Sequence, residues 1–390
     1  MKVCTVAPAF NRHGGVPYVA RNIVAELDDR GVENWVITDQ EHEDDVRPEL
    51  SDEVEIRTVR RSDRLFPLNI FAFAVRALPT LSELDEAHDF DLIHMHGNYI
   101  TLPVLADLLG KVDTPLVETA HGTYLNEIRS FREYPSFDRK WKYCTGVYLD
   151  HLIQKYGTRF ADHVHTVAER AVPELEEMGI DPDRVVAIPN GVDLTEFDRE
   201  TPAENVRESY GLEDATVAVS VGSAIPRKGV HTLVDAAPAL RERDAEAHIV
   251  HVGGHGHSGY ADYLETRIQE LGVEDVVTLT GRVPREELLG WFETCDVAVS
   301  AAYSEGCPIN VLEAAASGST VVATDVAGAP DVLGDLGIYA EPGDPEGLAD
   351  AMADGFDADT GPALRQRIEE QFTWDRIVDR LFDRFEEWSE

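Results

Sequence analysis

Short apolar runs alternate with segments of helical spacing along the whole chain. The candidate strands are KVCTVA, NWVIT, DLIHMH, PLVETA, HVHTVA and VVAIPN in the first half, and TVAVSVG, AHIVHVG, VVTLTG, DVAVSAA, TVVAT and GIYA in the second. Several of these runs are apolar throughout, as buried parallel strands are. Amphipathic segments such as VPYVARNIVAELDDRG and HTLVDAAPALRERDA separate them. The alternation predicts an α/β fold with two doubly wound, Rossmann-like parallel sheets.

The length of the chain divides this pattern into two domains. The sequence has 390 residues, which favours two domains of roughly 170–200 residues each. The turn-forming stretch PNGVDLTEFD at residues 189–198 marks the expected boundary. We therefore predict an N-terminal domain over residues 1–190, a C-terminal domain over residues 191–365, and a helical tail over residues 366–390 that packs back on the first domain. Ligands of such folds bind in a cleft at the carboxyl ends of strands.

Acidic residues far outnumber basic ones: 74 Asp and Glu face 34 Lys and Arg, for a formal net charge of −40. This balance excludes nucleic acid as an expected partner, because the phosphates would be repelled. The charge is spread along a chain that is 43% hydrophobic, which argues against disorder. We expect a halophilic protein, in which salt screens the self-repulsion.

The chain lacks a run of about 18 apolar residues, and its first residues, MKVCTVAPAF, are typical of a strand rather than a signal peptide. We therefore expect a cytoplasmic protein, with any membrane contact peripheral at the inner face. Cys4, Cys144, Cys295 and Cys307 are far apart and form no CxxC pair, so disulfides and a zinc site are not expected. Cys4 and Cys295 are expected to be buried apolar side chains.

The segment DVAVSAAYSEGCPINVLEAAASGSTVVAT carries the first candidate chemistry. It predicts a strand over residues 296–301, a loop over residues 302–307, and a helix that begins at Pro308 and ends at Gly318. The amides near Ile309 and Asn310 then lie at a helix N-terminus, which is an anion-binding position.

Two glutamates flank this helix start. Glu313 lies about 7–8 Å along the helix axis from the start, where its carboxylate could accept hydrogen bonds from the two hydroxyls of a ribose. Glu305, in the loop, is expected to face the same site. In so acidic a chain the spacing of two glutamates also arises by chance, so the strand–loop–helix context carries the hypothesis.

Three further turns follow predicted strands. Arg227 and Lys228, in VGSAIPRKGVHTLVDA, could clamp a diphosphate, or be a solvated surface pair. Gly14 and Gly15, in APAFNRHGGVPYVARNI, allow close approach of a ligand before a helix, or form an ordinary turn. His121, in PLVETAHGTY, stands at the end of a strand, where a structural role is equally open.

Together and in this order, these elements resemble the large family of retaining GT-B glycosyltransferases of the family-4, or glycosyl transferases group 1, type. The resemblance also includes DLIHMHG, IPNGVD, HIVHVGG and LTGRV, and it covers nearly the whole chain. It implies transfer of a hexose-type sugar from a UDP- or GDP-sugar to an acceptor hydroxyl, with retention by front-face attack and without a metal or other cofactor. Family members use lipid-linked, polysaccharide and small acceptors, so the acceptor stays open.

The resemblance also implies roles for single residues. Glu305 would contact hydroxyls of the donor sugar, His121 would lie beside that sugar, and Lys228 with Arg227 would stabilise the departing diphosphate. The other implied donor-binding positions are Gly15, Ile309 and Asn310 for the phosphates, Val283 beside Arg282 for the base, and Glu313 for the ribose.

Two departures from the family pattern leave the donor undefined. The family often has Gly-Arg where this chain has Gly222 and Ser223, so the diphosphate clamp would depend on Arg227 and Lys228 alone. It often has Phe-Gly where this chain has Cys307 and Pro308, which alters the expected sugar pocket.

The residues are also compatible with other functions. The segment GHGHSG at residues 254–259 is a GxGxxG motif after a strand, as in NAD-dependent oxidoreductases, but the next strand ends in Gly281 and Arg282 rather than in an acidic residue. A nucleotide-sugar epimerase, a phosphorylase or a non-catalytic sugar-nucleotide binder would share the fold. The histidine pairs HMH and HGH lack a third clustered metal ligand.

Two basic and apolar stretches suggest an acceptor or membrane surface in the first half. Arg57, Arg60, Arg61 and Arg64 precede LFPLNIFAFAVRALPTL, and residues 129–142 read RSFREYPSFDRKWK. They could dock at an anionic membrane or hold a lipid-phosphate acceptor. An ordinary amphipathic helix and a solvated loop are the alternatives.

The charge pattern makes a prediction about salt. Because screening weakens as ionic strength falls, we expect the protein to unfold below about 0.5 M salt. Circular dichroism during stepwise dilution of the salt would measure this, and full stability at low salt would contradict the halophilic interpretation.

Overall fold

The computed structural model describes residues 1–10, 15–39, 50–59, 69–97, 110, 112–198, 206–326 and 328–389. The chain forms two compact units. The first comprises Met1–Leu125, Gly146–Gly191 and Trp374–Glu390, and the second comprises Asn126–Thr145 and Val192–Thr373. Along the chain, the change of unit after Gly191 lies one residue beyond the predicted boundary after residue 190.

The first unit is built on a parallel sheet with seven strands in its described part, in the order β3-β2-β1-β4-β5-β6-β7. Its strands are β1 (Lys2–Val6), β2 (Glu33–Asp39), β3 (Glu55–Val59), β4 (Leu92–His96), β5 (Leu116–Ala120), β6 (His163–Thr166) and β7 (Val185–Ala187). Six of them confirm the predicted strands. The edge strand β3, EIRTV, was not predicted, because its charged and partly exposed residues conceal the strand pattern.

The second unit contains a parallel sheet whose described strands follow the order β10-β9-β8-β11-β12-β13. These are β8 (Thr216–Val221), β9 (Ala247–Val252), β10 (Val277–Gly281), β11 (Val297–Ser300), β12 (Val321–Thr324) and β13 (Ile338–Ala340). All six were predicted. The strand order reverses between β8 and β11, so the loops that follow these two strands flank the crevice in which α/β folds bind ligands.

Helices separate the strands in both units. In the described part of the chain they are α1 (Gly15–Asp29), α2 (Asn69–His88), α3 (Tyr124–Arg129), α4 (Lys140–Gly157), α5 (Val172–Glu177), α6 (Val206–Tyr210), α7 (Val230–Arg243), α8 (Ser258–Leu271), α9 (Arg285–Thr294), α10 (Ile309–Ala316), α11 (Gly328–Leu333), α12 (Pro345–Phe356), α13 (Gly361–Gln371) and α14 (Trp374–Trp388). None of them is long and apolar enough to cross a bilayer.

The predicted C-terminal tail is two helices, not one. Helix α13 ends before Phe372, and Thr373 pairs with Val192 through an isolated β-bridge. Helix α14 then belongs to the first unit and buries Leu381 and Phe385 there. The amphipathic spacing predicted that an apolar face must pack, but the bridge that interrupts the tail is a long-range contact.

Residues 126–145 pack in the second unit, although the predicted division assigned them to the first domain. Their anchors are aromatic: ring centroids are 5.4 Å apart for Phe137 and Tyr260 and 5.4 Å apart for Tyr134 and Tyr303. At Gly259, an added Cβ would lie 2.4 Å from the carbonyl oxygen of Asp138. The absence of a side chain at this glycine therefore lets the segment approach α8 closely.

The four cysteines lie within the described ranges and are free thiols. Cys4 is buried as predicted, and burial raises its pKa. Cys295 is only half-buried, and its Sγ donates to the Phe292 carbonyl at 3.5 Å. Cys295 lies at the end of a helix rather than within a strand, and burial raises the pKa of its thiol to about 11, so the expectation of a buried side chain is met in part.

Candidate functional site

The loops after β8 and β11 are fastened to each other at the point where the strand order reverses. The 3-10 turn Pro226–Lys228 is followed by Gly229, whose φ is +66°. An added Cβ at Gly229 would lie 1.8 Å from the carbonyl oxygen of Ala301, so only glycine permits this approach. The Tyr303 amide donates to the Arg227 carbonyl at 2.8 Å. The two loops therefore present their side chains to one small region.

Glu305 and the two cations form a buried ionic cluster in that region. Glu305 has a side chain only 8% exposed; its Oε2 lies 3.1 Å from Arg227 Nη1, and its Oε1 contacts Lys228 Nζ. Arg227 Nη1 also donates to the Ser304 carbonyl at 3.0 Å. Burial raises the pKa of Glu305, but Lys228 and Arg227 outweigh burial and hold the pKa below its ordinary value. The cluster is thus ionised, and a diphosphate would compete with Glu305 for the cations.

The N-terminus of α10 lies immediately after Glu305. Pro308 is its N-cap, and in the described residues no side chain caps the helix. The amides of Val311 and Leu312 bond to the Pro308 carbonyl, whereas the side chain of Asn310 donates to the Val221 carbonyl at 3.0 Å, at the end of β8. Ile309 and Asn310 are therefore held at the predicted helix start, where backbone amides attract an anion.

Glu313 has a partner that was not predicted from the sequence. Its Oε1 lies 2.7 Å from Arg285 Nη2, and the same guanidinium contacts Glu196. Burial lowers the pKa of Arg285, but Glu313 and Glu196 outweigh it and hold that pKa above its ordinary value. Glu313 is thus buried against Arg285, which orients its carboxyl group and opposes the rise in its pKa that burial causes.

The loop expected to meet the base lies between β10 and α9. Val283 is half-buried against the apolar cluster around Trp291, while Arg282 is exposed. Arg285 begins α9, only two residues after Val283. The base loop and the partner of the expected ribose ligand Glu313 are therefore on one short segment.

Packing explains glycines of the GHGHSG motif. An added Cβ on Gly256 would lie 2.3 Å from Ile225 Cγ2. Gly259 faces the carbonyl of Asp138. These glycines allow neighbouring segments to approach, so the motif requires no dinucleotide.

His121 lies in the first unit, directly after β5. Its Nε2 lies 3.2 Å from Nδ1 of His96, a fully buried residue at the end of β4. Desolvation, together with His165, lowers the pKa of His121 to about 3. The ring is therefore neutral near pH 7 and can exchange hydrogen bonds without carrying a charge.

Gly15 is the first residue of α1 and is exposed. No described atom lies within 4 Å of the position that a Cβ would take. The described part of the chain therefore leaves space beside Gly15. Gly14 lies outside the described residues.

Sequence reasoning missed two residues of the second unit that contact the predicted site: Arg285 and Glu127. The sequence position of Arg285 weakly predicts an acidic partner, because a cation at a helix N-terminus is repelled by the helix dipole unless an anion lies nearby. Glu127, whose Oε2 lies 3.6 Å from Arg227 Nε, had none. Among the described residues, no group of three or more His, Cys, Asp or Glu is placed to hold a metal ion.

Known glycosyltransferase sequences match most of this chain. Residues 13–196 match the sequence model of Glycosyltransferase Family 4, and residues 215–357 match that of Glycosyl transferases group 1. A D-inositol 3-phosphate glycosyltransferase of Corynebacterium aurimucosum is 30% identical over 312 residues, which are 75% of this chain and 70% of that protein.

Other relatives align over shorter stretches. D-inositol 3-phosphate glycosyltransferase 2 of Catenulispora acidiphila is 35% identical over 51% of this chain and 48% of that protein. A GDP-mannose-dependent alpha-(1-6)-phosphatidylinositol monomannoside mannosyltransferase of Mycobacterium tuberculosis is 32% identical over 50% of this chain and 54% of that protein. The chain thus spans about half the length of these two relatives.

Solved structures share the fold over the whole chain. The sucrose-phosphate synthase of Thermosynechococcus elongatus has a TM-score of 0.79 at 20% identity, covering 99% of this chain and 98% of that one. Anabaena HepE in complex with UDP-glucose has a TM-score of 0.77 at 18% identity, covering 99% and 100%. The fold is therefore of the GT-B type. The chain belongs to the glycosyl transferases group 1 family.

The lowered pKa of His165 predicts that the stability of the first unit depends on pH. Burial lowers the pKa of His165 to about 4, while an unfolded histidine titrates near about 6.5. As the pH falls from about 6.5 to about 4, His165 binds a proton in the unfolded state before it does so in the folded state. This difference lowers the free energy of unfolding by up to about 3 kcal/mol.

We expect His165→Gln to flatten the fall in the free energy of unfolding between these pH values. Urea unfolding at constant salt measures it. His255→Gln, which alters an exposed histidine, serves as the control and should keep the wild-type slope. An unchanged slope for His165→Gln would contradict the assignment.

Proposed function

We propose that this protein is a retaining glycosyltransferase that moves a hexose-type sugar from a UDP- or GDP-sugar to an acceptor hydroxyl. The observation that carries the proposal is the cluster of Arg227, Lys228 and Glu305 beside the N-terminus of α10. Two cations and a helix start meet there at the point where the strand order of the second unit reverses. This combination suits a nucleoside diphosphate with a sugar attached.

In the proposed reaction, the bond between the anomeric carbon and the diphosphate oxygen breaks on the face that the acceptor hydroxyl approaches. The acceptor oxygen bonds to the anomeric carbon, and its proton passes to the leaving diphosphate. Lys228 and Arg227 stabilise the charge on the diphosphate, assisted by the amides of Ile309 and Asn310. These groups could do the work of a metal, so we propose a reaction without one.

The remaining residues bind and orient the donor in this proposal. Glu305 exchanges its cationic partners for hydroxyls of the sugar, and Glu313, oriented by Arg285, accepts from the ribose hydroxyls. The neutral ring of His121 supplies a hydrogen bond to the transferred sugar, Gly15 gives room for the phosphates, and the loop at Val283 holds the base.

The names of the relatives support a nucleotide-sugar donor and a particular class of acceptor. One relative is GDP-mannose-dependent and acts on a phosphatidylinositol monomannoside, and others are D-inositol 3-phosphate glycosyltransferases. Both acceptor names describe a phosphorylated polyol, lipid-linked in the first case. We therefore propose a phosphorylated polyol, free or lipid-linked, as the acceptor.

A panel of UDP- and GDP-sugars tests the function, first by thermal shift and then by turnover with labelled donor. We expect a stabilising shift with one nucleotide family and transfer of label to an acceptor. An altered sugar nucleotide without acceptor would indicate an epimerase, and free sugar a hydrolase. Binding without turnover would indicate a non-catalytic binder, and a shift with NAD alone an oxidoreductase.

Substitutions of Glu313 and Glu305 should change different kinetic constants. Glu313→Gln weakens an interaction made in both the ground and transition states, so we expect the donor KM to rise about tenfold with kcat little changed. Glu305→Gln should chiefly lower kcat, because the sugar is no longer held for reaction. Glu341→Gln, which alters an exposed glutamate of the same unit, is the matched control. Full activity of both site variants would contradict the proposed donor site.

We also propose that helix α4 contacts an anionic membrane surface. Trp141, Tyr148, Leu149 and Tyr156 are 67%, 50%, 39% and 57% exposed, and their spacing places them on one face of the helix. Lys142 lies 5.6 Å from the Trp141 ring centroid. Exposed aromatic rings beside cations suit the headgroup region of a bilayer.

The other basic and apolar stretch does not support docking. Arg60, Arg61 and Arg64 lie outside the described residues, and Arg57 pairs with Glu55. Farther along that stretch, Phe73, Ala74, Ala77, Leu78 and Leu81 are buried in the core of the first unit. The apolar part of the stretch is thus largely an ordinary core helix.

Vesicle flotation tests the membrane proposal. We expect the protein to float with phosphatidylglycerol vesicles at high salt, and Trp141→Ser with Tyr156→Ser to reduce the bound fraction severalfold, because apolar area is lost. Val75→Ser, which changes another exposed apolar residue, should float like the wild type. Absence of wild-type flotation would exclude the proposal.

A further inference from the structure

Glu127 brings a second carboxylate to the cationic cluster from a segment that lies a hundred residues earlier in the sequence. Its side chain is 4% exposed, and its Oε2 lies 3.6 Å from Arg227 Nε. The hydroxyl of Tyr143 donates to its Oε1. Glu127 is thus held between a tyrosine and a guanidinium, with one carboxylate oxygen directed to each.

The packing of the second unit places this carboxylate. Glu127 and Tyr143 belong to the segment Asn126–Thr145, which lies in the same compact unit as Arg227. Tyr134, from the same segment, is buried and packs edge-on against Tyr303, 5.4 Å between centroids. Tyr303 in turn donates its amide to the Arg227 carbonyl. The carboxylate and the arginine are therefore anchored to the same aromatic contacts.

The two carboxylates contact different nitrogen atoms of Arg227. Glu305 takes Nη1 of Arg227 and Nζ of Lys228, whereas Glu127 faces Nε. A diphosphate that binds the cations competes with Glu305 for Nη1 and Nζ, but it leaves the Nε edge with Glu127. Because the guanidinium is a rigid planar fork, a partner at Nε also sets the direction of the Nη donors.

We propose that Glu127 is a positioning residue of the donor site. It holds Arg227 so that the guanidinium meets the diphosphate when Glu305 turns to the sugar. This assignment rests on the proposed nucleotide-sugar function. A carboxylate that merely repelled anions would have the opposite effect on nucleotide affinity, so the sign of a single substitution separates the two roles.

Glu127→Gln removes the charge at nearly constant shape. We expect it to weaken binding of UDP or GDP, whichever the wild type binds, about tenfold in isothermal titration calorimetry. With the matching sugar nucleotide, the donor KM should rise more than kcat falls. Tyr143→Phe, which removes only the hydroxyl that steadies Glu127, should weaken binding in the same direction and by less.

A double-mutant cycle separates positioning from a general loss of structure. In an Arg227→Ala background, Glu127→Gln should have little further effect on nucleotide affinity, because the group that it positions is gone. Glu133→Gln, an exposed glutamate of the same segment, should bind nucleotide like the wild type. Unfolding midpoints of all variants, measured at one salt concentration, identify any that are not folded.

Two results would overturn the assignment while leaving the proposed function intact: unchanged or tighter nucleotide binding by Glu127→Gln, or an equal loss with and without Arg227. A wild-type protein that binds neither UDP nor GDP would instead remove the proposed function, and this assignment with it.

Discussion

The second unit depends on one electrostatic constraint: the buried carboxylate of Glu305 requires cations beside it. An unpaired charge of this kind would cost about 3–5 kcal/mol, and Arg227 and Lys228 supply the partners. To reach them, the loops after β8 and β11 must touch, which the missing side chain of Gly229 allows. That contact in turn holds the start of α10 next to the cations. Pairing one buried acid thus brings two cations and a helix N-terminus together.

A second buried acid of α10 is also paired with an arginine. Glu313 is buried against Arg285, which it shares with Glu196. In both places an acid that the proposed donor would use is held by arginine. A ligand with phosphates and hydroxyls could then exchange one set of charged hydrogen bonds for another, with little unpaired charge at any stage.

The first unit handles its buried titratable groups differently. His94, His96, His121 and His165 lie at or near the carboxyl ends of β4, β5 and β6, and desolvation lowers their pKa values, so their rings are neutral. Thr119 links His94 and His165 by hydrogen bonds of 2.6 Å and 3.0 Å. The first unit therefore holds these histidines as neutral rings, whereas the second unit buries Glu305 and Glu313 beside cations.

The sequence alone determined the alternation of strands and helices, the start of α10 before Ile309, and the position of Glu305 and the two cations after buried strands. These are local features, set by side-chain periodicity and by Pro and Gly at element ends, so a linear pattern records them. Tertiary structure decided the partners: Arg285 for Glu313, Glu127 for Arg227, and the place of residues 126–145 in the second unit. Tertiary structure also decided the edge strand β3 and the β-bridge at Thr373. Such contacts join residues far apart in the chain through packing geometry, which leaves no periodic trace in the sequence.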